Sequence, residues 1–325
     1  MAIKVLQPGL ATTVQDAGRT GYYHLGIPLS GALDQYSFRA ANLLVGNAED
    51  AATLEMTMLG PKLEFTQDAS IALTGAHMPA KLDGVAIPDN QVVCVKAGSV
   101  LSFDFLKGGV RAYLAVAGGI DVPEVLGSRS TYALGAIGGF CGRKLQAGDV
   151  LAVGPAPGPV PVGRRLPEHL KQALPKQVQV RVLPGLYFHW LTEASGQTFF
   201  EDSWRVGPEA DRIGYRFKHG RPLEFEARER PFGAGSDPSN IVDAGYPIGS
   251  IQVPGGLEPI ILHRDAVSGG GYAMIGTVIS ADMDVVAQLQ PNFHTQFVAV
   301  DMAQALRARV ERNRRLAALR AALMP

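Results

Sequence analysis

Residues 12–47 combine glycines, polar side chains and apolar residues at a density that suits a binding loop. The polar members are Gln15, Asp16, Arg19, His24, Ser30, Asp34 and Ser37. From Ala32 onward, the apolar spacing predicts a helix that begins at Ser30 or Gly31 and ends at Gly46. A glycine-rich loop that leads into a helix presents backbone N–H groups that can hold an anion or a carbonyl oxygen. The alternative is a tight loop with a capped helix and no ligand.

A second polar stretch covers residues 127–132. Its hydroxyls, on Ser128, Ser130 and Thr131, and the guanidinium of Arg129 suit a carboxylate or a phosphate. The alternative is a turn in which Arg129 pairs with a nearby acid.

A third stretch covers residues 138–144. Successive N–H groups around Gly138, Gly139 and Gly142, followed by the cation of Arg143, predict an anion-binding nest. The alternative is a loop that only turns the chain.

A fourth stretch runs from residue 249 to residue 272. Gln252 offers both a donor and an acceptor for an amide-like ligand, and Asp265 is a candidate general base. Gly270, Gly271 and Tyr272 are candidate ligand contacts. The alternative is a Gln252 bonded to the backbone and an Asp265 that caps a turn.

Several common chemistries have no motif in the sequence. It contains no GxxxxGK phosphate loop, no GxSxG nucleophile elbow and no Met-Lys pair that would carry biotin. The seven histidines are scattered and Cys94 and Cys141 have no metal-ligand spacing, so we expect no metal site. The 30 basic and 30 acidic residues balance, which gives no reason to expect nucleic acid or a membrane surface as a partner. With only two cysteines, no apolar run of membrane-spanning length and no signal-peptide pattern, we expect a reduced, cytoplasmic protein; the alternative is one disulfide between Cys94 and Cys141.

The 38 glycines and 22 prolines favour turns and short strands and so predict a mainly β protein, and a length of 325 residues allows two modules. We place the N-terminal module at residues 1–154, a proline-rich linker at 155–176 and the C-terminal module at 177–300. A few short helices, one of them at 188–194, and a C-terminal amphipathic helix at 301–325 complete the prediction. In that last helix, apolar side chains near helical spacing predict one packing face. They are Leu306, Val310, Leu316, Leu319 and Leu323.

Long motifs in a fixed order carry a family resemblance. They read GRTGYYHLGIPLSGALD, ANLLVGN, GVRAYLAVAGGIDVPEVLGSRSTY, GGFCGRKLQAGD, DRIGYR and GSIQVPGGLEPIIL. The sequence resembles the family of the 5-oxoprolinase C subunit, also called allophanate hydrolase subunit 2 or KipI antagonist. That family is similar to part of the carboxyltransferase domain of urea carboxylase. The resemblance implies two cyclophilin-like β-barrel modules.

The resemblance also implies a function. The chain would belong to an ATP-hydrolysing, hetero-oligomeric hydrolase complex that opens 5-oxoproline to glutamate. Its partners would be a KipI-like B subunit, together with a lamB-like A subunit; ATP would act at the level of the complex, and the chain alone would be inactive. We expect catalytic roles for Asp34, Gln252 and Asp265. One cleft is expected to collect residues from separate stretches, namely Ser30, Gly31, Asp34, Arg129, Gln252 and Tyr272.

The sequence departs from the family where the family reads Asp-x-Gln-Thr-Thr-Gly-Gly-Tyr. Val267 stands in place of the glutamine and Gly269 in place of a threonine. This loss of hydrogen-bonding groups indicates a changed substrate or lost activity. Two alternatives stay open: a carboxyltransferase component that acts on a urea-like amide with carboxybiotin from another protein, and a non-catalytic binding partner of a KipI-like regulator.

Overall fold

The computed structural model describes residues 2–229 and 231–324, and the chain divides into two compact units. Unit 1 comprises the chain up to Thr20, Ser30–Leu174 and the chain from Asn313 onward. Unit 2 comprises Gly21–Leu29 and Pro175–Arg312. The division at Leu174 lies inside the predicted linker, whereas the assignment of Gly21–Leu29 to unit 2 has no counterpart in the predicted modules.

Unit 1 contains twelve named strands, one complete α-helix and a 3-10 turn at Glu168–Leu170 within its described residues. The strands are β1 (Ala2–Gln7), β2 (Ala11–Gln15), β3 (Thr53–Thr57), β4 (Lys62–Phe65), β5 (Ala69–His77), β6 (Ala80–Leu82), β7 (Val85–Ile87), β8 (Val92–Val95), β9 (Val100–Phe103), β10 (Gly108–Val116), β11 (Ile120–Asp121) and β12 (Val150–Val153), and the helix is α1 (Gln35–Leu44).

The strands of unit 1 form two sheets. One has the order β11-β12-β1-β4-β9-β6-β7 and the other the order β2-β3-β10-β5-β8. One hydrophobic cluster takes side chains from both sheets, among them Ile3, Leu54, Phe65 and Leu114, each fully buried. The alternation of buried and exposed residues along β1 and β12 follows the two-residue repeat of a strand.

Helix α1 begins later than the sequence predicts. Ser30 and Gly31 have left-handed backbones with φ of 52° and 84°, which no helix can start from. The helix is capped instead by Asp34, whose side chain accepts a hydrogen bond from the Ser37 N–H at 2.9 Å. The predicted start at Ser30 or Gly31 is therefore wrong, and the last helical residue is Leu44 rather than Gly46.

Unit 2 contains the remaining strands and helices. The strands are β13 (Gln177–Pro184), β14 (Trp204–Ala210), β15 (Gly214–Lys218), β16 (Asn240–Gly245), β17 (Ser250–Gln252), β18 (Ile260–Leu262), β19 (Gly269–Tyr272), β20 (Met274–Val278) and β21 (His294–Ala299). The helices are α2 (Glu193–Glu201), α3 (Met283–Val286) and the first part of α4 (Met302–Leu323).

Seven strands of unit 2 close into a barrel in the order β13-β20-β17-β18-β15-β14-β21. Closure depends on β21, which pairs in parallel with β13 and antiparallel with β14. The interior is aromatic: the rings of Phe199 and Phe297 stack with centroids 4.7 Å apart, and Trp204 and Phe217 are fully buried beside them. Strands β16 and β19 form a separate two-stranded sheet. The mainly β class, with few helices and a C-terminal helix, is confirmed.

The predicted helix at residues 188–194 is wrong in its bounds. The structure has a 3-10 turn at Phe188–Trp190 and then α2, which starts at Glu193. Thr192 separates the two because its side chain caps the new helix, accepting from the Ser195 N–H at 3.2 Å.

The C-terminal helix is present, but its predicted packing stripe is divided. Leu316, Leu319 and Leu323 are at most 7% exposed and pack with α1 in unit 1. Leu306 and Val310, in unit 2, are 51% and 47% exposed. The predicted end of the helix at Pro325 lies outside the described residues. Among the described helices, none combines the length and the apolar character needed to cross a membrane.

Candidate functional site

Asp16 organises the polar loops of unit 1. Its Oδ1 accepts hydrogen bonds from the Gly18 N–H at 2.8 Å, from the Ser128 hydroxyl at 2.7 Å and from the Ser130 hydroxyl. Its Oδ2 accepts from the N–H of Arg129. One carboxylate therefore ties the loop after β2 to the predicted 127–132 stretch.

Two further side chains reinforce this connection. The guanidinium of Arg19 is 1% exposed and donates to the carbonyls of Val125 and Ser130, each at 2.9 Å. Gln15 donates to the Thr131 carbonyl and accepts from the Gly31 N–H, both at 3.1 Å. The sequence offers Gln15, Asp16 and Arg19 only as members of a polar loop, and their common role depends on residues more than 100 positions away.

Asp34 lies in a second buried network. Its N–H donates to the Tyr113 hydroxyl at 2.8 Å, and that hydroxyl donates to Glu55 at 2.9 Å. Glu55 also accepts from the Leu33 N–H. Burial, with the neighbouring charges of Glu55 and Asp34, raises the pKa of Tyr113 well above its usual value. The phenol therefore stays neutral and bridges the loop to the sheet.

The candidate ligand residues of unit 1 are mostly buried. Ser30, Asp34 and Ser130 are fully buried and Thr131 is 1% exposed. Arg129 is more accessible, but its Nη1 lies 2.6 Å from Glu124 and its Nε donates to the Val122 carbonyl. This is the acid pairing that forms the alternative interpretation of the 127–132 stretch.

The glycines of the third stretch pack tightly against the second. A Cβ on Gly139 would lie 1.8 Å from the Thr131 hydroxyl, and one on Gly138 would lie 2.3 Å from the Ser130 carbonyl. Arg143 is engaged by Asp149 through two hydrogen bonds of 2.8 and 2.9 Å. Close packing thus accounts for the glycines of the predicted anion nest, and the ion pair with Asp149 accounts for Arg143.

A cavity of about 580 Å³ in unit 1 lies away from all of these candidates. Its lining includes Cys94, Lys96, Pro155 and Pro159, and Lys96 is paired with Asp68 at 2.7 Å.

In unit 2, Tyr246 connects the predicted residues to one another. Its hydroxyl lies 2.5 Å from the Gly270 carbonyl and 2.7 Å from that of Tyr272, and it accepts from the Tyr272 N–H at 2.8 Å. The side chain of Gln252 lies within reach of the same hydroxyl. Burial raises the pKa of Tyr246, so this hydroxyl remains a donor. The sequence patterns do not single out Tyr246.

Asn240 is the second residue that sequence reasoning misses. It lies opposite Tyr272 in the β16–β19 pair, and its Oδ1 is buried without a hydrogen-bond partner among the described residues. Tyr272 as a whole is 41% exposed. Gln252 and Tyr272 both lie at the Tyr246 hydroxyl, and Asn240 is opposite Tyr272 in the strand pair; we call these four residues the amide cluster. An unpaired acceptor beside an accessible ring is the feature expected of a site for a ligand that donates an N–H.

Asp265 is engaged by Arg212. Arg212 donates to its two oxygens at 2.7 and 3.1 Å, and the Asp265 side chain is 7% exposed. The backbone N–H of Asp265 also donates to the Arg212 carbonyl. The pair fixes the chain that leads into β19. No group of three or more histidine, cysteine, aspartate or glutamate side chains converges on a possible metal position in the described residues.

Comparison with known proteins identifies the family. The model for the carboxyltransferase domain, subdomain A and B, matches residues 25–299. The chain belongs to this carboxyltransferase-domain family. The resemblance stated from the motifs is thereby confirmed.

Two kinds of relative are similar to this chain. It is 37% identical to the C subunit of Escherichia coli 5-oxoprolinase, and the match covers 96% of each chain. It is 38% identical to the urea amidolyase of Saccharomyces cerevisiae over 91% of its own length but only 16% of that protein. The crystal structure of Kluyveromyces lactis urea carboxylase superimposes with a TM-score of 0.91 at 37% identity, covering 100% of this chain and 30% of that one.

Proposed function

We propose that the chain is the C subunit of a 5-oxoprolinase complex that opens 5-oxoproline to glutamate with hydrolysis of ATP. The observation that carries the proposal is the match to the C subunit of Escherichia coli 5-oxoprolinase over 96% of both chains. The urea-related proteins match only as parts of much longer chains.

The amide cluster supplies groups that suit a cyclic amide. A lactam presents one N–H and one carbonyl, and the unpaired Oδ1 of Asn240 can accept the N–H. The Gln252 carboxamide, which lies beside the Tyr246 hydroxyl, can donate to the carbonyl, where negative charge develops when water attacks. The exposed ring of Tyr272 can cover the apolar face of the lactam. In this proposal Asp265 positions the strand through Arg212 and does not itself transfer a proton.

The remaining machinery belongs to the assembled complex. We propose cytoplasmic partners, a KipI-like B subunit with a lamB-like A subunit, and ATP as a substrate of the complex. In unit 1, Ser30, Asp34 and Ser130 then act by shaping the fold: Ser30 adopts a left-handed turn, Asp34 caps α1 and the Ser130 hydroxyl donates to Asp16.

The test is reconstitution. The chain is expressed alone and together with the two partner subunits, and glutamate and ADP are measured with 5-oxoproline and ATP. We expect turnover that requires all three chains and both substrates. Turnover by the isolated pure chain, or none by the full set, would contradict the proposal.

A carboxyltransferase role is the second candidate, favoured by the TM-score of 0.91 to urea carboxylase across the whole of this chain. In that case the chain would carboxylate urea, or a similar amide, when supplied with carboxybiotin on another protein. Transfer of labelled carboxylate to urea distinguishes it from the first. Tight binding of a KipI-like protein with neither activity would instead support the antagonist role.

A further inference from the structure

The first half of α4 presents an apolar stripe that the described residues 2–229 and 231–324 leave about half-exposed. Met302, Leu306 and Val310 are 56%, 51% and 47% exposed. Residues four positions apart in a helix lie on one face, so the three side chains form a continuous row, the α4 stripe. The same helix buries Leu316, Leu319 and Leu323 completely or nearly so, which shows that its sequence can pack closely where a neighbour is present.

Arginines flank the α4 stripe on both sides. Arg309 lies three positions after Leu306, and Arg307 lies three positions before Val310, which makes each a neighbour of the stripe. Neither arginine forms an ion pair with another described residue. The next arginine, Arg312, differs because its Nη2 lies 2.8 Å from Asp284. The stripe is therefore apolar with a positively charged rim.

We propose that the α4 stripe docks an acidic amphipathic helix of a partner chain. Apolar anchors one turn apart are the pattern by which a helix is recognised, and glutamates or aspartates beside the partner's apolar face would meet Arg307 and Arg309. A second copy of this chain is disfavoured, because pairing two such stripes brings like charges together. The proposal rests on the proposed function in that the partner is another member of the same complex.

The size of the stripe sets the expected effect. Three half-exposed side chains cover far less than the roughly 800 Å² per partner that stable interfaces bury, so the stripe is one anchor within a larger contact. Removing it should weaken assembly rather than change the fold, since all three residues are exposed.

The test measures the affinity of the purified chain for the co-expressed KipI-like subunit. The double substitution Leu306→Glu/Val310→Glu should weaken binding at least about tenfold, as expected for loss of an interface anchor. Ala318→Glu is the matched control, because it adds negative charge at another exposed site of α4 and should leave the affinity unchanged. Arg307→Glu/Arg309→Glu should weaken binding more at low salt than at high salt.

Three results would overturn the proposal. In the first, the Leu306→Glu/Val310→Glu chain remains folded by circular dichroism and binds the KipI-like protein with wild-type affinity. In the second, sedimentation shows a wild-type dimer that the same substitution dissociates, which would assign the stripe to a second copy. In the third, the wild type binds no other member of the complex. That result would contradict both the assembly in the proposed function and this docking site. The first two results would contradict the docking site alone.

Discussion

The buried network of unit 1 and the amide cluster of unit 2 use similar residue types in opposite ways. Around Asp16, four groups of the protein satisfy one carboxylate, and Ser128 and Ser130 are at most 1% exposed. Around Tyr246, the acceptor of Asn240 is left unpaired among the described residues and the ring of Tyr272 remains accessible. A polar motif that satisfies itself fixes a fold, whereas one with an unmet acceptor is equipped to bind.

Substitution of Asp16 should cause the largest loss of stability. Asp16→Ala removes the acceptor shared by Gly18, Ser128, Arg129 and Ser130, and hydrogen bonds to a charged group contribute about 1.5–3 kcal/mol each. Because these bonds are not additive, we expect a loss on the order of 3–5 kcal/mol in the free energy of unfolding. Urea denaturation measures it.

The control for that experiment is Asp50→Ala, since Asp50 is exposed and substitution at such surface sites usually changes stability by less than about 0.5 kcal/mol. Equal stability of the Asp16→Ala chain and the wild type would show that the loops of unit 1 do not depend on this carboxylate.

Gly31 tests close packing of the unit 1 loops at the level of the backbone. Its φ is 84°, and an added Cβ would lie 2.7 Å from the Gly18 backbone. Gly31→Ala should therefore cost more than the roughly 1–2 kcal/mol of a left-handed alanine, on the order of 3 kcal/mol. Gly127→Ala is the matched control, because Gly127 also has a positive φ but nothing lies within 4 Å of the new Cβ. Equal thermal shifts for the two substitutions would argue against close packing at Gly31.

Substitution of Asp149 should cause a smaller loss of stability. Hydrogen bonds from Arg143 hold the pKa of Asp149 below its usual value. A depressed pKa contributes stability above the unfolded-state pKa, near about 3.9, and that contribution is lost as the pH falls below it. Asp149→Asn should cost about 1 kcal/mol at pH 7, because Arg143 is one-third exposed and solvent screens the pair.

The measurement for Asp149 is the difference in unfolding free energy between wild type and Asp149→Asn from about pH 7 to about pH 2.5. The difference should shrink as the pH drops through the range below about 4. A difference that stays constant over this range would exclude the ion pair as its source.

Local patterns in the sequence predict much of the fold. Short strands separated by glycine and proline predict the β class, and the regularly spaced leucines near the C-terminus predict α4. Asp34 and Ser37 have the spacing of a helix-capping pair, and this pair marks the true start of α1. The predicted start at Ser30 or Gly31 is wrong because the glycines before Asp34 resemble a loop that enters a helix directly.

The candidate site is less accessible to sequence reasoning, because its contacts are distant in the chain. Gln252 and Tyr272 stand in family motifs. Tyr246 and Asn240 stand in stretches without a recognised motif, and their importance follows from pairing between β16 and β19. In the same way, Asp16 reaches Ser128 across 112 positions, so only the folded chain shows that both are structural. The predicted common cleft of Ser30, Arg129 and Gln252 stays a prediction.

The most direct test of this division measures stability and turnover together in the reconstituted complex, for Asn240→Ala in unit 2 and Ser128→Ala in unit 1. Removal of an unpaired buried acceptor costs little stability, so Asn240→Ala should keep its melting temperature and lose roughly tenfold in kcat/KM for 5-oxoproline. Ser128→Ala should lower the melting temperature and retain kcat/KM at temperatures where the chain is folded. The reverse pattern, with Asn240→Ala unstable but active and Ser128→Ala stable but inactive, would contradict the account.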